Sequence, residues 1–168
     1  MQKSKAEISY FRNFIFGVED SLVSTVGLLS GVAIAGMSAQ SIFLTGVVLI
    51  FVEAISMAAG SFLSESSAEE FEQNKEGATG KTRMASFVMF ISYFISGFIP
   101  LAPYLLLPPS AALFVSIGVS ILALAILGIV SARMSKTSLL KSAIRMVSIG
   151  GLAILVGTLV GHFVTTGF

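Results

Sequence analysis

The chain has 168 residues, 55% of them hydrophobic and only 11% charged, with a mean hydropathy of +0.94. An ordinary soluble domain carries about 25% charged residues, so that class is excluded. The net charge is +1 and there is no cysteine, which removes disulfides, thiolate metal sites and redox motifs from consideration.

Windows of ~20 apolar residues, the length that crosses ~30 Å of hydrocarbon, predict five spanning helices and no strands: residues 14–36, 41–63, 84–107, 111–132 and 143–165. The N-terminal apolar stretch is too long and too acidic for a cleavable signal peptide, and it has no clear cleavage site. The expectation is therefore a single transmembrane domain over residues 1–168. The first span opens with "FIFGVEDSLVSTVG", in which Glu19 and Asp20 interrupt an otherwise apolar run. The second carries Glu53 and Met57. Between the second and third lies the only sizeable polar segment, 64–83, whose first half continues the second helix. Glu65, Glu69, Glu72 and Glu76 are spaced i, i+4, i+7, i+11, which places four carboxylates on one helical face. Such a face is either a solvated helix end before a turn at Gly77 and Gly80 or a cytoplasmic cation-collecting surface.

The stretch "GATGKT" invites a phosphate-loop reading, but that motif needs a glycine five positions before Gly80, where Lys75 stands, and a strand before the loop. It is rejected. Pro100, Pro103, Pro108 and Pro109 are expected to kink and then end the third helix. The fifth span holds the only histidine, His162, near its outer end, where an interfacial histidine is a better reading than a ligand.

All ten Lys and Arg precede the first span, lie between the second and third, or fall between or beside the fourth and fifth. The positive-inside rule then puts the N-terminus and both basic loops in the cytoplasm and the C-terminus outside. Topology accounts for the basic residues, so no nucleic-acid partner is expected.

An acid at the centre of a spanning helix costs ~2.5–3.5 kcal/mol on insertion scales and usually marks an ion or proton path. Glu19, Asp20 and Glu53 all fall within spans, and no intramembrane Lys or Arg is evident to neutralise them. At 1.5 Å per residue, Asp20 and Met57 both lie ~9 Å from the cytoplasmic ends of antiparallel helices. Glu53 lies ~15 Å deep, one turn from Met57 on the same face. Asp20, Met57 and Glu53 thus form a ladder leading inward. Carboxylate oxygens with a thioether suit a divalent first-row ion such as Fe²⁺ or Mn²⁺, and the lack of Cys and of clustered His argues against a zinc or copper site. A carboxylate sunk in the membrane without a cation favours its protonated form, so metal binding would release a proton. Glu19 points ~100° away from Asp20 and receives a smaller role.

The stretches "FGVEDSLVSTVGLLSGVAIAG" and "VEAISMAAGSFLSESSAEE" resemble the first two helices of the vacuolar iron transporter family, which pairs an Asp on helix one with Ser-Met-Ala-x-Gly on helix two. "ISYFISGFIPLAPYLL" and "KTSLLKSAIRMVSIGGLAILVG" are similar to its later segments, so the likeness covers nearly the whole chain in order. The resemblance implies a five-helix subunit that forms a homodimer with the ion path between the copies. It also implies export of Fe²⁺ and often Mn²⁺ from the cytoplasm in exchange for protons, with Asp20, Glu53 and Met57 in the pathway. The metal is substrate, and no permanently bound cofactor is expected. Three departures stand out: Ser21 where Gly is usual, Ser61 where Glu is common, and about twenty residues where many members insert a larger cytoplasmic domain rich in Glu and Met. If Glu65, Glu69, Glu70, Glu72 and Glu76 collect metal here, a second subunit's copies would have to help, and Met84 is the only nearby sulfur.

The competing readings are a transporter or channel for another divalent ion, a proton leak, and a purely structural membrane protein. An intramembrane enzyme using Asp20 and Glu53 lacks any nucleophile constellation, and no enzyme activity is expected. Short loops point to a prokaryotic cytoplasmic membrane, and a vacuolar membrane would keep the same orientation toward the cytoplasm.

Overall fold

The computed structural model describes residues 4–73 and 79–166. Among them the chain folds as six helices: α1 (Lys5–Ile34), α2 (Ala39–Gln73), α3 (Gly80–Leu101), α4 (Pro103–Leu106), α5 (Pro109–Ser135) and α6 (Leu139–Thr166). All but the single-turn α4 are long and apolar enough to cross a membrane.

Helix α1 starts nine residues before its apolar window because Ser4 and Glu7 form a capping box: the Glu7 amide donates to Ser4 Oγ at 3.1 Å and the Ser4 amide to Glu7 Oε2 at 2.8 Å. It ends at Ile34, and Gly36 just beyond the cap, with a left-handed φ of 77°, turns the chain into α2. Helix α2 has 35 residues, about 52 Å at 1.5 Å per residue, so its turns beyond Leu63 project past the hydrocarbon. The prolines shorten the expected third span. Pro100 sits in the last turn of α3, which stops at Leu101, and Pro103 begins α4, where a missing N–H costs nothing. Pro109 opens α5 in the same way.

Helix α1 runs through the middle, packed mainly on α3 and α6 and more lightly on α5 and α2. One core cluster joins Leu29, Ile42, Ile50, Leu101, Tyr104 and Ala112, and a second joins Leu22, Leu124, Leu127 and Met146. Lipid tails are as apolar as Leu, so helices in a bilayer associate through close packing and hydrogen bonds rather than hydrophobic burial. Small residues accordingly line the contacts. Gly27 and Gly31 of α1 lie against Gly157 and Gly161 of α6, two Gly-x-x-x-Gly pairs in parallel register. Ser21, one of the departures noted above, is accommodated between α1 and α3: its Oγ donates to the Tyr93 carbonyl at 2.6 Å, and it occupies the space left by Gly97, which lacks a Cβ. Large apolar side chains such as Leu44, Ile55, Phe114, Leu122, Leu152 and Phe163 point outward, as a lipid-facing surface requires.

A candidate metal pathway

Asp20 is half-buried on α1 at one end of a shallow groove of about 500 Å³ between α1 and α6. Apart from Asp20 and Ser24 that groove is lined by aliphatic residues and glycines, and it follows the second half of α1 from Asp20 to Ala35. Glu53 of α2 is also half-buried, and its carboxylate lies close enough for its charge to act on Asp20. Both acids bear on the Tyr93 hydroxyl, which is hydrogen-bonded to Ser24 Oγ at 2.8 Å. The two intramembrane carboxylates therefore share one electrostatic neighbourhood with a phenol and a serine hydroxyl beside them. Among the described residues no group of three Asp, Glu or His side chains converges on a point, so one subunit offers two carboxylates rather than a closed cage.

Met57 stands one turn beyond Glu53 on α2. It lines a cleft of about 690 Å³ between α1, α2 and α3, with Asn13, Ser56, Ser61 and a second thioether, Met89. Phe16, one turn before Asp20 on α1, also lines this cleft, while Asp20 itself borders the groove toward α6. Arg12 lies at the polar end of the same cleft.

Glu19 makes no ion pair, but it lies in the field of a cation. The charge of Arg145 on α6 acts on it, more strongly than does Asp20. The two acids that are adjacent in sequence thus face different partners: Asp20 faces Glu53, and Glu19 faces the basic end of α6. His162 is exposed near the far end of α6, beside the ring of Phe163.

Two members of the acidic stripe on α2, Glu65 and Glu69, are not solvated. Glu65 is only 6% exposed and Glu69 7%, because both are turned toward α1 and α3. Glu65 pairs with Arg12, accepts a hydrogen bond from Ser9 Oγ at 2.8 Å, and has Lys81 Nζ at 4.0 Å. Glu69 accepts hydrogen bonds from Thr82 Oγ1 at 2.6 Å and Thr79 Oγ1 at 2.9 Å, with Lys81 Nζ at 3.4 Å. Glu72 pairs with Lys5 on the surface, and Glu76 lies outside the described residues. Ser61 joins this network by donating to Asn13 Oδ1 at 2.6 Å, while Asn13 Nδ2 donates to the Ser9 carbonyl at 2.9 Å. Sequence spacing located the stripe, but the cations opposite it come from the starts of α1 and α3, which no local pattern connects to α2.

The hydrogen bond from Thr82, reinforced by Thr79 and Lys81, holds the Glu69 carboxyl below the usual carboxylate range. A carboxylate with a depressed folded-state pKa contributes stability above its unfolded pKa and loses it as pH falls through the folded value. Glu69→Gln should therefore lower the thermal midpoint in detergent at pH 7 by a few degrees, the equivalent of about 1–2 kcal/mol for a charge-assisted hydrogen bond. The gap to wild type should narrow as the pH is lowered below ~4. A gap that persists unchanged to pH 3 would show that the Glu69 charge contributes nothing to stability.

Five helices long and apolar enough to span a bilayer, with the carboxylates of Asp20 and Glu53 carried on two of them, define an integral multi-pass membrane protein. The chain belongs to the VIT family, the vacuolar iron transporters, whose family model matches residues 11–81 and 74–162. That places it among membrane metal-ion transporters. No match was found among curated proteins.

Proposed function

We propose that this protein exports Fe²⁺ or Mn²⁺ from the cytoplasm in exchange for protons, acting as a homodimer. The observation that carries the reading is the pairing of Asp20 with Glu53 inside the membrane. Two carboxylates that repel each other and have no basic partner between them are best relieved by a divalent cation or by protons. Loading the ion releases those protons, and its departure allows their return, which couples the two fluxes in opposite directions. First-row divalent ions take more ligands than one subunit supplies here, so a second copy set against α1 would add another Asp20 and Glu53 to the same path.

Orientation follows from the charge distribution, which puts the start of α1 and the α5–α6 connection on the cytoplasmic side. Metal then enters through the cleft lined by Met57 and Met89, whose thioethers favour Fe²⁺ and Mn²⁺ over Mg²⁺ and Ca²⁺. Collection by Glu65 and Glu69 would require displacing Arg12, Lys81 and two threonine hydroxyls. We assign that stripe to fastening the cytoplasmic ends of α1, α2 and α3, and capture to the cleft.

A second reading, transport of a different divalent cation, is favoured by one observation. Ser61 bonds to Asn13 where related sequences commonly carry Glu, which leaves the inner mouth with fewer free carboxylates. Purified protein in proteoliposomes, tested with Fe²⁺, Mn²⁺, Co²⁺, Mg²⁺ and Ca²⁺ while a trapped dye reports pH, decides between them. The exporter reading expects Fe²⁺ or Mn²⁺ flux with opposed proton movement. Equal flux of Mg²⁺ or Ca²⁺, or metal flux without a pH change, overturns it.

A further inference from the structure

The connection between α5 and α6 encloses a polar pocket of about 400 Å³ that the metal pathway does not use. Its lining is Ser131 and Ser135 from α5, Thr137 and Ser138 from the turn, and Ser142, Lys141 and Arg145 from α6. Ser131 and Ser135 are one helical turn apart on α5, as are Lys141 and Arg145 on α6, so each helix turns one face toward the other. Seven polar side chains gathered at one helix-to-helix turn are far more than a turn needs.

Two of the hydroxyls are nine-tenths buried, Ser131 at 9% and Ser142 at 8% exposure. Among the described residues none of the five hydroxyls, and neither Lys141 nor Arg145, makes a side-chain hydrogen bond or an ion pair. Their oxygens are open to the pocket, the buried oxygens without a partner lying elsewhere at Thr25, Ser30 and Tyr104, so the hydroxyls are free to bind a guest. The space is more than ten times the ~30 Å³ share of a single water. Glu19 acts on Arg145 from α1 without approaching to ion-pair distance. With Lys141 and Arg145 and no acid in its lining, the pocket is net positive.

We infer that this pocket binds a phosphate group. Several hydroxyl donors arriving from different directions suit a tetrahedral oxyanion with multiple acceptor oxygens, and an Arg with a Lys supply the charge. The start of α6 adds the free amides and positive dipole end of a long helix to the same rim. The pocket lies where α5 and α6 leave their apolar segments, the level of phospholipid headgroups, so an anionic lipid is the source that the position favours and soluble phosphate is the alternative.

The test uses the whole purified protein in detergent, titrated with phosphatidylglycerol, with diacylglycerol of the same chains, or with inorganic phosphate, and read by native mass spectrometry. Phosphatidylglycerol should be retained and diacylglycerol should not. Ser131→Ala with Ser142→Ala, and separately Lys141→Gln with Arg145→Gln, should each weaken retention about tenfold, the scale of one or two charge-assisted hydrogen bonds. Arg133→Gln with Lys136→Gln removes the same charge outside the pocket and should leave retention within about twofold of wild type, as expected for exposed, solvent-screened charges. Inorganic phosphate bound with the same variant sensitivity, in place of lipid, assigns the pocket to a soluble phosphate. Wild-type binding by the hydroxyl variant, equal losses in both charge pairs, or no binding of either phosphate source overturns the inference. Because Ser→Ala preserves charge and nearly preserves volume, the hydroxyl pair still decides if the charge pair fails to fold.

Discussion

Asp20→Asn and Glu53→Gln are each expected to cut Fe²⁺ and Mn²⁺ flux in proteoliposomes by at least the ~10–100-fold typical of losing even an outer-shell partner of a metal site, while the protein stays folded. The two expectations come from the same geometry. Each substitution removes one of two carboxylates that repel each other in a half-buried setting, so neither breaks an attractive contact that the fold depends on. The thermal midpoint should be unchanged or higher, since a buried charge is unfavourable and an amide of the same shape is less so. The combination separates the readings. A purely structural protein predicts the gain in stability with no activity to lose, whereas a transporter trades one against the other. Glu19→Gln serves as an internal contrast: its charge is answered by Arg145 rather than by Glu53, so flux should fall by less than about threefold, a surface-pair effect rather than a ligand loss. Equal loss in all three variants would mean that the region responds to any change of charge and that Asp20 and Glu53 have no special place in the path.

What could be read from residue order alone divides along a physical line. Five spans, their order and the buried acids were legible because insertion into a bilayer depends on local apolarity and length, and because a carboxylate among twenty apolar residues stands out whatever surrounds it. Rotation about each helix axis was not legible. Helices α2 and α5 are apolar on nearly every side, so no periodicity marks which face meets a neighbour and which meets lipid. That is why the groove that Asp20 borders toward α6, the cleft that Met57 borders toward α3, and the charge of Arg145 acting on Glu19 from 126 positions later in the chain could not be read beforehand. The acidic stripe shows the same limit in another form. Spacing put Glu65 and Glu69 one turn apart on α2, but their burial depends on Arg12, Lys81, Thr79 and Thr82 arriving from two other helices. The prolines sit between these cases. Their chemistry predicted a break, and the placement of that break at Leu101 rather than near residue 107 follows from Pro103 starting a helix of its own.

The largest stability effect should come from the crossing of α1 and α6. A Cβ on Gly31 would lie 2.6 Å from the Gly157 carbonyl oxygen, and one on Gly157 would meet the Gly27 carbonyl even more closely. These neighbours are backbone, so no side-chain rotation relieves the clash, and the helices must separate. Separation also opens weak Cα–H to carbonyl contacts of the kind that tight parallel crossings collect. Gly157→Ala should therefore cost about 1–3 kcal/mol, and Gly157→Leu should prevent recovery of folded protein, while Gly151→Ala, with nothing within 4 Å of its Cβ position, should behave as wild type. Thermal unfolding in a fixed detergent, with yield after size exclusion, measures all three. The crossing also frames the groove that ends at Asp20, so a survivor such as Gly157→Ala widens the wall beside the proposed path. Its flux should fall further than the folded fraction does, and a fall no larger than the loss of folded protein would show that α6 supports the bundle without shaping the route of the ion.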